Sequence, residues 1–187
     1  MVRAATEGSS GIAVLVGGSS TGKTRACWEV LALLRDQDLP WRLWHPIDPS
    51  RPDAALRELA GIKPRTVVWP NEAQFYLADG GLGERVAAGL RDLLRDPGRA
   101  PVLVLATLWP QFWNDLTVRP TDNAPDPHAQ ARELLNGHDI TVPAAFTAVQ
   151  MDQLTRAAVA RMVLAARSAP DRKVTQFLAG CGCAARW

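Results

Sequence analysis

Eight consecutive residues constrain this chain more than any others. Gly17-Gly18-Ser19-Ser20-Thr21-Gly22-Lys23-Thr24 satisfies G-x-x-x-x-G-K-[ST] at every fixed position. Ahead of it runs Ile12-Ala13-Val14-Leu15-Val16, continuously apolar as a strand buried on both faces should be. Behind it Cys27, Val30, Leu31 and Leu34 recur at i, i+3, i+4 and i+7, one face of a helix. A glycine-rich turn between a buried strand and a helix N-terminus lets the backbone wrap around phosphate and point successive N–H groups at it. In that arrangement Lys23 reaches the β- and γ-phosphates and Thr24 offers its hydroxyl to Mg2+. The chain has 14 glycines but only three lysines, Lys23, Lys63 and Lys173. With that usage a chance match is on the order of one in a thousand. A glycine turn that merely starts a helix explains the glycines and leaves the rare lysine unexplained. The expectation is therefore nucleoside-triphosphate binding by residues 17 to 24, with Arg25 beside them.

The rest of the chain alternates short apolar runs with amphipathic stretches, as an α/β fold with a mainly parallel sheet does. Trp41 to His45 alternates and precedes a loop marked by Pro46, Pro49 and Pro52, then a helix carrying Leu56 and Leu59. Thr66-Val67-Val68-Trp69 reads as a second buried strand, closed by Pro70. Val86, Leu90, Leu93 and Leu94 mark a helix stopped by Asp96-Pro97-Gly98, and Val102 to Ala106 is the clearest strand. Residues 108 to 128, rich in Pro, Asp and Asn, predict an irregular loop with about one turn of helix. Asp126-Pro127 then offers an N-cap and first-turn proline for a helix reaching Leu134 and Leu135. Asp139 to Val142 predicts a last short strand. Thr147-Ala148-Val149-Gln150 fits a capping box, followed by Met151, Leu154, Ala158, Met162 and Ala165 on one face. The division expected is an α/β domain over residues 1–145, a helical lid over 146–180 and a tail over 181–187.

Composition narrows the function classes. A net charge of +2, from 21 basic and 19 acidic side chains, gives no strong field for nucleic acid or an acidic membrane. No stretch approaches the ~20 apolar residues of a membrane span. Three cysteines cannot make an even disulfide framework, which favours a reducing cytoplasm. Cys181 and Cys183 stand one residue apart and lack a second ligand pair, so they read as tail rather than zinc site. His45, His128 and His138 have no ligand spacing. Trp28, Trp41, Trp44, Trp69, Trp109 and Trp113 read as packing residues rather than a stacking platform.

A phosphate site needs a second half, and Trp69-Pro70-Asn71-Glu72 after the second buried strand is the natural candidate. Asn71 stands where an acid for Mg2+ is usual; its carbonyl oxygen can orient a metal-bound water but brings no charge. Glu72 is the candidate general base, with Asp79 a weaker rival and a dipole-complementing helix acid the plain alternative. Thr107, after Val102 to Ala106, is the candidate contact to the γ-phosphate or the attacking water. Arg119, Arg132, Arg156 and Arg161 are candidates for a finger or lid arginine, although most of the 18 arginines are expected to be solvated.

With these residues assembled, the chain resembles the additional-strand, catalytic-glutamate division of P-loop ATPases. Within it the chain is similar to AAA+-type modules and to signal-transduction ATPases with numerous domains, as found in large bacterial regulatory proteins. Residues 15 to 28 and Trp41-Arg42-Leu43-Trp44-His45-Pro46 carry the closer likeness. The resemblance covers about residues 10 to 180 and implies a three-layer α/β/α fold with sheet order 5-1-4-3-2. It places the Thr107 strand between the P-loop strand and the Asn71-Glu72 strand. It also implies ATP rather than GTP, since no Asn-Lys-x-Asp motif is present. Flanking DNA-binding or repeat domains are missing from these 187 residues, so the resemblance implies a shortened or isolated module. The leading expectation is a slow Mg2+-dependent ATPase acting as a regulatory switch, with homo-oligomer formation supplying groups in trans. The alternatives are a small-molecule kinase using Asp48 and Arg51, or a nucleotide-binding scaffold without catalysis.

Overall fold

Buried apolar runs set the sheet. Gly11–Val16 (β1) and Val102–Leu108 (β4) are almost wholly buried and pair in parallel over six positions, from Gly11 opposite Leu103 to Val16 opposite Leu108. Arg42–Trp44 (β2), Thr66–Val68 (β3) and Asp139–Thr141 (β5) complete a five-stranded parallel sheet in the order β2-β3-β4-β1-β5. This is the expected order read from the other edge. The computed structural model describes residues 3, 5, 7–37, 39–46, 52–121, 124–156 and 167–176. Asp48, Arg51, Ala158, Arg161, Met162, Ala165, Cys181 and Cys183 lie outside them. Among the described residues no helix is long and apolar enough to cross a membrane.

Alternation along the strands builds two cores. Ala13, Leu15, Val67, Leu103 and Leu105 face Lys23–Arg35 (α1), whose Cys27 and Leu34 are buried with Val30 and Leu31 beside them. Burial pushes the Cys27 thiol up to about 11. Ile12, Val14, Val16, Val68, Val102, Val104, Ala106 and Leu108 form the opposite core. Against it pack Pro52–Leu59 (α2), Gln74–Leu77 (α3), Leu82–Arg95 (α4), Pro110–Thr117 (α5) and Ala129–Leu135 (α6). Ala148–Arg156 (α7) carries Met151 and Leu154 into a small separate cluster around the buried Val174, with Phe146 and Ala169.

Four local expectations change. Residues 110–117 are a full two-turn helix, because Pro110 sits at its first position and Phe112, Trp113 and Leu116 give it an apolar face. The following helix starts at Ala129, later than Asp126-Pro127 suggested. Its leading amides, on Gln130 and Ala131, are taken instead by the Glu84 carboxylate of α4 at 2.8 and 3.0 Å. Trp69 lies just beyond β3, and β4 runs on to Leu108, so Thr107 sits within a strand rather than at its tip. The tryptophans also divide: Trp69 is buried, whereas Trp28 is 54% exposed and meets it edge-on at 5.3 Å. The capping box forms as expected, with Gln150 N–H donating to Thr147 Oγ1 at 3.2 Å and Thr147 N–H to Gln150 Oε1 at 2.8 Å.

Candidate functional site

In a parallel sheet all strands end on one edge, so the segments following β1, β3 and β4 meet there. Gly17 leaves β1 still tied to the sheet, its N–H donating to Leu108 O at 3.1 Å. A Cβ on Gly17 would stand 2.8 Å from Val142 O and 2.9 Å from Thr21 Oγ1, so the turn closes only with glycine there. Gly22 ends the turn at φ +99°, a left-handed conformation that glycine adopts without steric cost. Thr21 ties the turn internally through its hydroxyl, which donates to Gly18 O at 3.1 Å.

The lysine sits inside this turn. Lys23 is 6% exposed and donates to Gly17 O and Gly18 O, both at 2.7 Å. An ammonium carries three protons, so two hold the loop and one remains for an incoming anion. Burying an ammonium costs several kcal/mol without compensation, which the two carbonyls supply in part. Burial lowers the Lys23 pKa below the ordinary lysine value, and the charge of Glu72 opposes that shift. The ring of Trp109, just after β4, lies 5.9 Å from Nζ.

The first turn of α1 has no acidic residue, and its N-cap Gly22 provides no side-chain bond, so its polarity is set for an anion. Ser19, Ser20 and Thr24 are exposed at this turn. Thr24 can therefore present its hydroxyl to a metal ion. Arg25 is exposed and its guanidinium is engaged by Glu29 one turn on, which directs it along the helix. On the other side, Thr175 approaches within 3.7 Å of a Cβ built on Gly22, placing part of the 170–176 segment against the loop.

Facing Lys23 is the turn after β3. β4 continues beyond the last ladder pair with β3, Val68 opposite Val104, and this leaves Thr107 free to bind the returning chain. Glu72 N–H donates to Thr107 Oγ1 at 2.8 Å, and Ala73 N–H donates to Thr107 O at 2.8 Å. The Thr107 hydroxyl proton goes to Asn71 Oδ1 at 3.2 Å. Thr107 is fully buried, so in this arrangement its hydroxyl serves the 71–73 turn instead of pointing at a phosphate. Glu72 is half-buried with φ +56°, a conformation that costs a non-glycine residue about 1–3 kcal/mol and persists only when its surroundings impose it. Its Oε2 accepts from Gln74 Nε2 at 2.6 Å.

Several candidates fall elsewhere. Asp79 caps α4, accepting from the Gly81 and Leu82 N–H groups at 2.9 and 2.5 Å, and these bonds hold its carboxyl below the usual range. Arg132 is engaged by Asp126, which raises its pKa, and also donates to Val118 O at 3.2 Å. Arg156 pairs with Asp152 on its own helix at 2.6 Å. Among the histidines, His45 Nδ1 lies 2.8 Å from Trp69 O. No group of three or more His, Cys, Asp and Glu side chains gathers as a metal site among the described residues. Mg2+ keeps mostly water and phosphate oxygens, so Thr24 and the second lone pair of Asn71 Oδ1 suit it without such a group. Two residues went unnoticed in the sequence: Gln74, detectable only as a polar residue two positions after Glu72, and Trp109 as a neighbour of Lys23. Comparison with protein-family models finds no match for this chain, and comparison with curated proteins finds none either.

Proposed function

We propose that the chain is an ATP-binding P-loop module of the AAA+ and signal-transduction ATPase type, working as a regulatory switch that hydrolyses ATP slowly. The observation that carries this reading is Lys23, buried in the turn between β1 and α1 with two protons on loop carbonyls and Glu72 facing it. The loop amides and Lys23 hold the β- and γ-phosphates, and Thr24 with Asn71 holds Mg2+, which offsets phosphate charge. Glu72 takes a proton from water as that oxygen bonds the γ-phosphorus, and the bridging bond to the β-phosphate breaks. The products are ADP and inorganic phosphate. Thr107 acts in this scheme by holding Glu72. Asn71 contributes no negative charge to the metal, which favours slow turnover and a state that persists with ATP bound.

A cytoplasmic setting and assembly into a homo-oligomer or larger regulatory complex belong to the same proposal. The second reading, a binder that never hydrolyses, draws on the same Asn71. Phosphate release measured with Mg2+-ATP for wild type and Glu72→Gln separates them. We expect slow release by wild type, rising per molecule with protein concentration, and a loss of at least tenfold in Glu72→Gln. Equal release by both proteins would remove Glu72 as the base, and ATP binding without any release would favour the inert binder.

A further inference from the structure

Gln74 is 5% exposed, and its amide is not explained by packing. Its Oε1 is buried without a hydrogen-bond partner among the described residues, an arrangement that an apolar side chain of similar size would avoid. Its Nε2 donates to one atom, Glu72 Oε2, at 2.6 Å. The same glutamate is held at φ +56° by Thr107, whose hydroxyl and carbonyl oxygens accept from Glu72 N–H and Ala73 N–H, each at 2.8 Å. Backbone and side chain of Glu72 are thus fixed independently, from β4 and from the first residue of α3. A carboxylate on a two-carbon stem otherwise samples many rotamers, and a general base loses efficiency when its oxygen wanders by an ångström.

We propose that Gln74 is a positioning residue for Glu72: its amide holds Oε2 and leaves Oε1 to meet the attacking water. The proposal rests on reading the site as one that hydrolyses ATP. Gln74 touches no reacting atom in this scheme; it acts through Glu72, so its effect requires the Glu72 carboxylate. Its unpartnered Oε1 also offers an acceptor to a water in the same buried corner.

The test has two arms. In the first, phosphate release and ATP affinity are measured for wild type, Gln74→Leu, Glu72→Gln and the double variant. Gln74→Leu should lower kcat tenfold or more, leave the Kd for ATP within about twofold, and cause no further loss once Glu72 is replaced. An unchanged kcat, or an equal loss in both backgrounds, would overturn the proposal. Gln74→Met serves the same comparison if the leucine variant does not fold. In the second arm the side-chain amide protons of Gln74 are followed by NMR in the nucleotide-free protein at one fixed neutral pH, in wild type and in Glu72→Gln. In wild type one of them should resonate downfield and exchange slowly, as a donor to a carboxylate oxygen 2.6 Å away does, and Glu72→Gln should shift it upfield and speed its exchange. Amide protons indifferent to Glu72→Gln would overturn the proposal. This arm needs no turnover: a wild type that binds ATP but releases no phosphate defeats the hydrolysis reading alone, and the amide protons then decide the role of Gln74.

Discussion

At the scale of single residues, Gly17 and Lys23 set the turn after β1, and each has a testable consequence. Gly17 lacks room for a methyl group, since Val142 O and Thr21 Oγ1 would both lie under 3 Å from it. Gly17→Ala should cost about 1–3 kcal/mol of stability and weaken ATP binding at least tenfold, checked by denaturant titration and calorimetry. Lys23 has a pKa below its ordinary value of 10.5 through burial. Its charged form is the one that attracts phosphate, so ATP affinity should fall as pH rises through that lowered pKa, in a window beginning below 10.5. The fall should be absent in Lys23→Arg, whose guanidinium stays protonated, when affinity is followed by calorimetry across alkaline pH. In the nucleotide-free protein the sign for stability is opposite: within that window the unfolded chain binds more protons than the native one, so Lys23 makes unfolding harder as pH rises. The motif around these two residues was legible because G-x-x-x-x-G-K-[ST] has fixed positions and fixed spacing. The partner of the Glu72 carboxylate was not, because a glutamine two positions away carries no periodicity or motif to mark it.

At the scale of elements, strands were easier to read than helix starts. β1 and β4 are buried on both faces and therefore appear as unbroken apolar runs, whereas the start of α6 depends on a partner distant in sequence. Pro110 was hidden in a stretch whose Asp, Asn and Pro content resembled loop. The start of α6 is set by Glu84, 46 and 47 positions before the amides it accepts from. Removing that carboxylate leaves two part-buried N–H groups without their acceptor, so Glu84→Ala should destabilise the fold by about 1–3 kcal/mol. Glu84→Gln, which keeps one acceptor oxygen, should cost less. Denaturant midpoints at constant m-value would measure both; a loss for Glu84→Gln as large as for Glu84→Ala would argue that charge, not capping, matters there. Thr107 shows the same lesson in the site itself. Its place beside β1 followed from the resemblance, but its present role depends on β4 outrunning β3, which strand lengths in the sequence did not reveal.

At the scale of the whole molecule, the sheet order β2-β3-β4-β1-β5 brings the turn after β1 and the turn after β3 to the same edge, with β4 between them. That order brings the Glu72 charge to bear on Lys23 although they stand 49 positions apart, and it makes Thr107 the support for the second turn. Titration calorimetry of Mg2+-ATP into wild type and Lys23→Ala, with circular dichroism to verify the fold of the variant, decides whether this edge of the sheet binds nucleotide. Wild type should bind saturably, and Lys23→Ala should lose ten- to hundredfold or more in affinity, the effect of removing a charged hydrogen bond worth about 1.5–3 kcal/mol. A folded Lys23→Ala that binds ATP as tightly as wild type would show that Lys23 holds no phosphate, and a wild type that does not bind ATP at all would remove the nucleotide site altogether.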